Sequence, residues 1–95
     1  EKGLGVEKNY QKAVELYNEA IKRECFEACV TLGRCYENGT GVEKNAAKAV
    51  ELYKQAADKE VTDAYTALAR CYEQGISVEK NAVEAKKWRD KLLED

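Results

Sequence analysis

A seven-residue segment occurs three times in this chain at a fixed spacing, and that spacing restricts the fold more than any other feature. It reads Gly3-Leu4-Gly5-Val6-Glu7-Lys8-Asn9, then Gly39-Thr40-Gly41-Val42-Glu43-Lys44-Asn45, then Gly75-Ile76-Ser77-Val78-Glu79-Lys80-Asn81. Val6, Val42 and Val78 stand 36 residues apart. Self-similarity at this period marks a stacked helical array, in which each unit is too small to bury its apolar face alone and covers it with its neighbour.

Between the copies, apolar residues recur at helical spacing. Asn9 is the expected N-cap of helix one, over roughly 10–23, with Ala13, Val14, Leu16, Tyr17, Ala20 and Ile21 facing in. Helix two, about 26–38, turns Ala28, Leu32, Cys35 and Tyr36 inward. Asn45 caps helix three, about 46–58, whose inward set is Ala49, Leu52, Tyr53, Ala56 and Ala57. Thr62 caps helix four, about 63–74, with Ala64, Leu68, Cys71 and Tyr72 inward. Asn81 opens helix five, where Glu84 completes a capping-box-like pair and Ala85, Trp88 and Leu92 face in. Ala28, Gly33, Ala49 and Ala56 are small enough for close helix approach. The expected fold is all-α, a solenoid of antiparallel helix pairs built from five helices. Residues 1–24 form a partial unit holding only its second helix. Residues 25–60 form a full unit and 61–95 a full, terminal one.

The two ends differ. Glu1-Lys2-Gly3 matches the helix ends Glu37-Asn38-Gly39 and Glu73-Gln74-Gly75, so further repeats are expected on the N-terminal side. In helix five the position of Tyr17 and Tyr53 holds Arg89, among Lys86, Lys87, Asp90 and Lys91. A polar outer face is what a terminal repeat requires, so the array is expected to close near Asp95.

The pattern Ala28-x3-Leu32-Gly33-x2-Tyr36-x2-Gly39-x-Gly41-Val42-x2-Asn45-x2-Lys48-Ala49-x3-Tyr53-x2-Ala56-Ala57 resembles the Sel-one-like repeat (SLR) family, relatives of the tetratricopeptide repeat with a longer inter-helix loop. The resemblance implies a right-handed alpha-alpha superhelix that scaffolds protein assemblies. Trp88 falls where the family often has Trp. Glu7, Glu43 and Glu79 stand where the family often has Pro, and Asn9, Asn45 and Asn81 where it often has Asp. Glu24 and Glu60 replace the Gly that usually follows the second helix. A left-handed backbone at either site would cost roughly 1 kcal/mol.

Composition excludes several functions. Sixteen Lys and Arg against 18 Asp and Glu give net charge -2 with both signs interspersed, not the basic stripe of a nucleic-acid binder. No apolar run reaches the roughly 18 residues of a membrane span, and the amphipathic helices need their apolar faces for one another, so no membrane insertion is expected. There is no His, and Ser77 is the sole Ser, so the inventory for catalysis is nearly empty and no enzyme is expected. The glycines of residues 39–41 follow a helix, lack the Gly-Lys-Ser/Thr order and recur in every unit, which makes them architecture and not a phosphate cradle. Cys25 and Cys29 are the one close pair among the four cysteines and there is no His, too little for a zinc site, so neither metal nor cofactor is expected. Cys35 and Cys71 stand one repeat thickness apart, about 10 Å, too far to bridge. Free thiols buried as small apolar residues fit a reducing, cytoplasmic setting, with a Cys25–Cys29 bridge, four residues apart, as the alternative.

The remaining expectation is a binding face. In the tetratricopeptide architecture that the pattern resembles, the first helix of each unit lines an inner groove. Carried over, that suggests Glu27, Val30, Arg34, Glu37 and Asn38 from one unit, and Asp63, Thr66, Arg70, Glu73 and Gln74 from the next. All ten lie off the apolar stripe and are expected to be exposed. Arg34 and Arg70 recur in register as a ladder whose planar forks suit an acidic or C-terminal peptide partner. The bland alternative pairs Arg34 with Glu27 or Glu37 on its own helix. The sequence thus reads as a protein-interaction module or adaptor, with a structural spacer as the alternative.

Overall fold

Five helices follow one another: α1 (Lys2–Lys22), α2 (Glu27–Asn38), α3 (Ala46–Asp58), α4 (Thr62–Gln74) and α5 (Ala82–Lys91). They come from a computed structural model that describes residues 2–93, with side chains from residue 9 onward. Glu1, Glu94 and Asp95 lie outside the described residues, and so does the expected close of the array at Asp95. Among the described residues there is no strand. The chain is an all-α solenoid.

Helix starts follow the side chains available to cap them. Asn45 and Asn81 have extended backbones, and their side-chain oxygens accept from the Lys48 and Glu84 amides at 3.1 and 3.0 Å. The expected capping box at α5 is only half formed. The Asn81 amide donates to the Tyr72 carbonyl at 3.0 Å instead of to Glu84. Thr62 is not a cap. It is the first residue of α4, and Val61 takes the N-cap place without a side-chain bond.

The larger correction is α1, which starts at Lys2 and runs through Asn9, where a loop and cap were expected. The two loop copies are held differently. Gly39 and Thr40 both donate to the Cys35 carbonyl, and Asn45 donates to that of Tyr36 at 2.7 Å. Ile76 and Asn81 repeat these bonds to Cys71 and Tyr72. Each loop is therefore closed by the helix before it. Residues 3–9 carry the same pattern inside α1, where intrahelical bonds hold them instead.

Helix ends confirm the strained connections. Glu24 and Glu60 take left-handed φ of 66° and 63°. Glu60 donates to Ala57 and Val61 to Ala56, while Glu24 donates to Ile21 and Cys25 to Ala20. Both are Schellman closures, which use a residue of this conformation to satisfy the last carbonyls of a helix. The hydrogen bonds hold two glutamates where glycine would be unstrained.

The core matches most of the predicted inward sets. Ala49, Leu52, Tyr53, Ala56 and Ala57 are all buried, as are Leu32, Ala64, Leu68 and Cys71. Gly33 explains one close approach, since a Cβ there would stand 2.6 Å from the Tyr53 ring. One unit later Ala69 occupies the Gly33 position and Arg89 the Tyr53 position. The extra methyl appears where the ring is gone. Gly41, at φ 76°, seats the α2–α3 loop on α1, where a Cβ would be 2.7 Å from the Tyr10 carbonyl oxygen. Leu16 corrects the helix-one set, because it is 62% exposed while its copy Leu52 is 7% exposed. Leu92 is likewise exposed. α3 packs most extensively on α2, and α1 has no such helix before it among the described residues.

α3 packs on α4 and α1 on α2, while α4 carries α5. Among the described residues the backbones of α2 and α4 also approach each other directly, whereas those of α1 and α3, and of α3 and α5, do not. The array is therefore closed up along its α2–α4 side. That side holds the first helices of successive units.

Candidate functional site

The α2–α4 side is knit together by one carboxylate. Glu37, near the end of α2, accepts from the two terminal guanidinium nitrogens of Arg70 on α4, at 2.6 and 2.8 Å. The Tyr53 hydroxyl on α3 donates to the same carboxylate at 2.6 Å. Glu37 is 14% exposed and Arg70 35%. A bidentate guanidinium–carboxylate pair fixes angle as well as distance, so it sets the orientation of one unit on the next. Electrostatics follow the geometry. The bonds from Arg70, then from Tyr53, hold the Glu37 carboxyl below its usual range against the opposing effect of burial. Burial, then the bond to Glu37, pushes the Tyr53 phenol well above its ordinary value.

The same device is rebuilt differently one unit on. Glu73, in the register of Glu37, accepts from Arg89 Nε and a second guanidinium nitrogen at 2.6 and 2.7 Å. Arg89 stands in the register of Tyr53. A single arginine on α5 does there what a tyrosine and an arginine from two helices do at Glu37.

These contacts sort the ten predicted face residues. Glu27, Arg34 and Asn38 on α2, and Asp63, Thr66, Glu73 and Gln74 on α4, are exposed as expected. Val30 is not. It is 3% exposed and belongs to the core. The one-turn spacing that put it with Glu27 and Arg34 also places it at the edge of the buried stripe. Glu37 and Arg70 are drawn together and half-buried, so they cannot both remain open to a partner. The arginine ladder is thus asymmetric: Arg70 is clamped, and Arg34 is exposed with no ion-pair partner among the described residues. Neither Glu27 nor Glu37 pairs with Arg34, although Arg34 lies close enough to lower the Glu37 pKa slightly. Sequence reasoning missed Tyr53 as a polar participant. Its place on the apolar stripe hid the hydroxyl, and the signal was its replacement by Arg89 in register.

The thiols belong to the packing. Cys29 and Cys71 are fully buried, Cys35 is half-buried, and all four cysteines are free. Cys25 departs from the expectation by being exposed, with its thiol 3.7 Å from a Glu27 oxygen. Burial, then Glu37, pushes the Cys71 thiol up to about 11, and burial raises Cys29 and Cys35 as well. Thiols so shifted are poor nucleophiles at neutral pH. No cluster of metal-ligating side chains occurs among the described residues, and no described helix is long and apolar enough to cross a membrane.

Comparison with known proteins agrees with this architecture. The Sel1 repeat model matches residues 1–25, 26–61 and 62–88. No curated protein gives a significant match. Among solved structures, the chain is similar to a Sel1 repeat protein from Oxalobacter formigenes, with 31% identity and a TM-score of 0.79. That match covers 84% of this chain and 61% of the other. The chain is also similar to c5321, described as a protective antigen present in uropathogenic Escherichia coli strains and displaying an SLR fold, with 27% identity and a TM-score of 0.83. Here 88% of this chain is covered but only 18% of c5321. The chain therefore spans less than two-thirds of either neighbour.

Proposed function

The chain belongs to the Sel1 repeat family, and we propose that it is a non-catalytic interaction module that holds a partner protein or peptide against its α2–α4 side. Sel1 repeats are generally protein-interaction or scaffold modules and typically non-catalytic. The observation that carries the reading is the division of labour on that side. Glu37 and Arg70 spend their charges on each other and fix the two helices. Glu27, Arg34, Asn38, Asp63, Thr66 and Gln74 remain exposed on the framework so formed. Arg34 supplies an open planar fork, which suits an acidic or C-terminal carboxylate on the partner.

The test is capture of partners from native lysate by the wild-type chain and by an Arg34→Glu/Thr66→Glu variant. Both positions are exposed, so the variant should melt within about 0.5 kcal/mol of wild type. Arg70 is left unchanged, because reversing it would break the bond to Glu37. A partner held by the wild type and released by the folded variant supports the module. A partner retained by both places the contact elsewhere. Capture of nothing favours a spacer.

A further inference from the structure

Along α2 the charges stand in an order that helix physics explains only in part. Glu27, Thr31, Arg34 and Asn38 follow at steps of three and four residues and form one stripe of the helix. Glu27 lies in the first turn, where a carboxylate complements the helix dipole, and Asp63 repeats it on α4. The dipole gives Arg34 no such reason, since the last turn of α2 holds no basic residue. Glu37, the carboxylate one turn on from Arg34, is committed to Arg70 and Tyr53. Glu27 stands seven residues back, about 10 Å along the axis at 1.5 Å per residue, and is not a helical neighbour of Arg34. One stripe thus presents an exposed carboxylate and an exposed guanidinium, held apart by the helix. The rest of that side restricts what could span them. None of the large apolar side chains exposed among the described residues belongs to α2 or α4, and Val30 and Ala67 are buried. An amphipathic helix would find no cover there for its apolar face. An extended segment needs none: a polyproline-II chain keeps its backbone in water and brings every third residue to one side, about 9 Å apart.

We propose that the α2 stripe binds an extended, polar segment of a partner protein in which a Lys or Arg and a Glu or Asp stand three residues apart, the cation at Glu27 and the carboxylate at Arg34. The Arg34 fork takes the carboxylate through two parallel bonds. Asp63, in the register of Glu27 on the adjoining α4, adds a second negative charge at the cation's end. The proposal rests on the α2–α4 reading and narrows it. A purely acidic segment does not meet the requirement, because Glu27 and Asp63 repel it. Either chain direction does, since the spacing alone matters.

Three capped peptides of equal composition and charge provide the probes. Pro-Lys-Pro-Pro-Glu-Pro and Pro-Glu-Pro-Pro-Lys-Pro carry the charges three apart in the two chain directions, and Pro-Pro-Lys-Glu-Pro-Pro carries them adjacent. Binding to the 95-residue chain is measured by 1H–15N titration at low salt, where exposed charge pairs are least screened. The expected result is at least threefold tighter binding of one of the spaced peptides than of the adjacent one. That preference should vanish in Glu27→Gln and in Arg34→Gln, both at exposed positions where substitution leaves the fold intact. Equal affinity for all three peptides, binding of none, or a preference that survives either variant would overturn the proposal. The peptides are supplied directly, so failure to capture a partner from lysate does not alter these outcomes. Capture that depends on Arg34, beside peptides that show no spacing preference, would keep the binding face and overturn this occupant.

Discussion

Single residues carry the sharpest consequences. Gly33 lies inside α2, where alanine would ordinarily improve a helix by about 1 kcal/mol. Here a Cβ meets the fully buried Tyr53 ring at 2.6 Å and the Ala49 carbonyl at 3.2 Å. Gly33→Ala should therefore destabilise by about 1–3 kcal/mol in a thermal or urea melt, as overpacking does. Leu32 is 2% exposed, and Leu32→Ala should cost roughly 2–5 kcal/mol by the same measurement. Glu60 makes the opposite case. Its left-handed backbone means that Glu60→Gly should be neutral or stabilising by up to about 1 kcal/mol, while Gln55→Gly within α3 should cost about 1 kcal/mol. The sequence disclosed the glycine's role through its small neighbours, and it disclosed the strain at Glu24 and Glu60 through the family pattern. It did not disclose that Val30 is buried, because one-turn spacing cannot separate the margin of an apolar stripe from its polar flank.

Between elements the Glu37 site predicts a pH dependence. The Glu37 carboxyl titrates below its ordinary value of about 4.5 in the folded chain. A carboxyl depressed on folding contributes its full stability above the unfolded pKa and loses it as pH falls through the folded one. Melting temperatures should therefore drop below about pH 4.5, and Glu37→Gln should flatten that drop while lowering stability by about 1–2 kcal/mol at neutral pH. Equal acid sensitivity in both proteins would mean that other carboxylates govern the transition. Helix boundaries from α2 onward were legible to within about a residue, because asparagine caps and αL glycines mark them locally. The start of α1 was not. The pattern that forms a loop at residues 39–45 lies within a helix at residues 3–9, so the local sequence alone does not set the boundary. The Glu37–Arg70 bond joins residues 33 apart on different helices, and such a pairing is invisible until the repeats are stacked.

For the whole molecule, the period of 36 residues was enough to give an all-α solenoid, since stacking is the one way such short units bury their faces. Register alone could not say which polar residues stay open, because the same stacking that exposes Arg34 closes Arg70 onto Glu37. The central claim is that the α2–α4 side is the binding face. At 10.7 kDa the chain suits a direct map: 1H–15N chemical-shift perturbation on adding the captured partner. The largest shifts should fall at Glu27, Arg34, Asn38, Asp63, Thr66 and Gln74. Shifts confined to the outward positions of α3 and α5, such as Lys54, Lys87 and Asp90, would contradict the account.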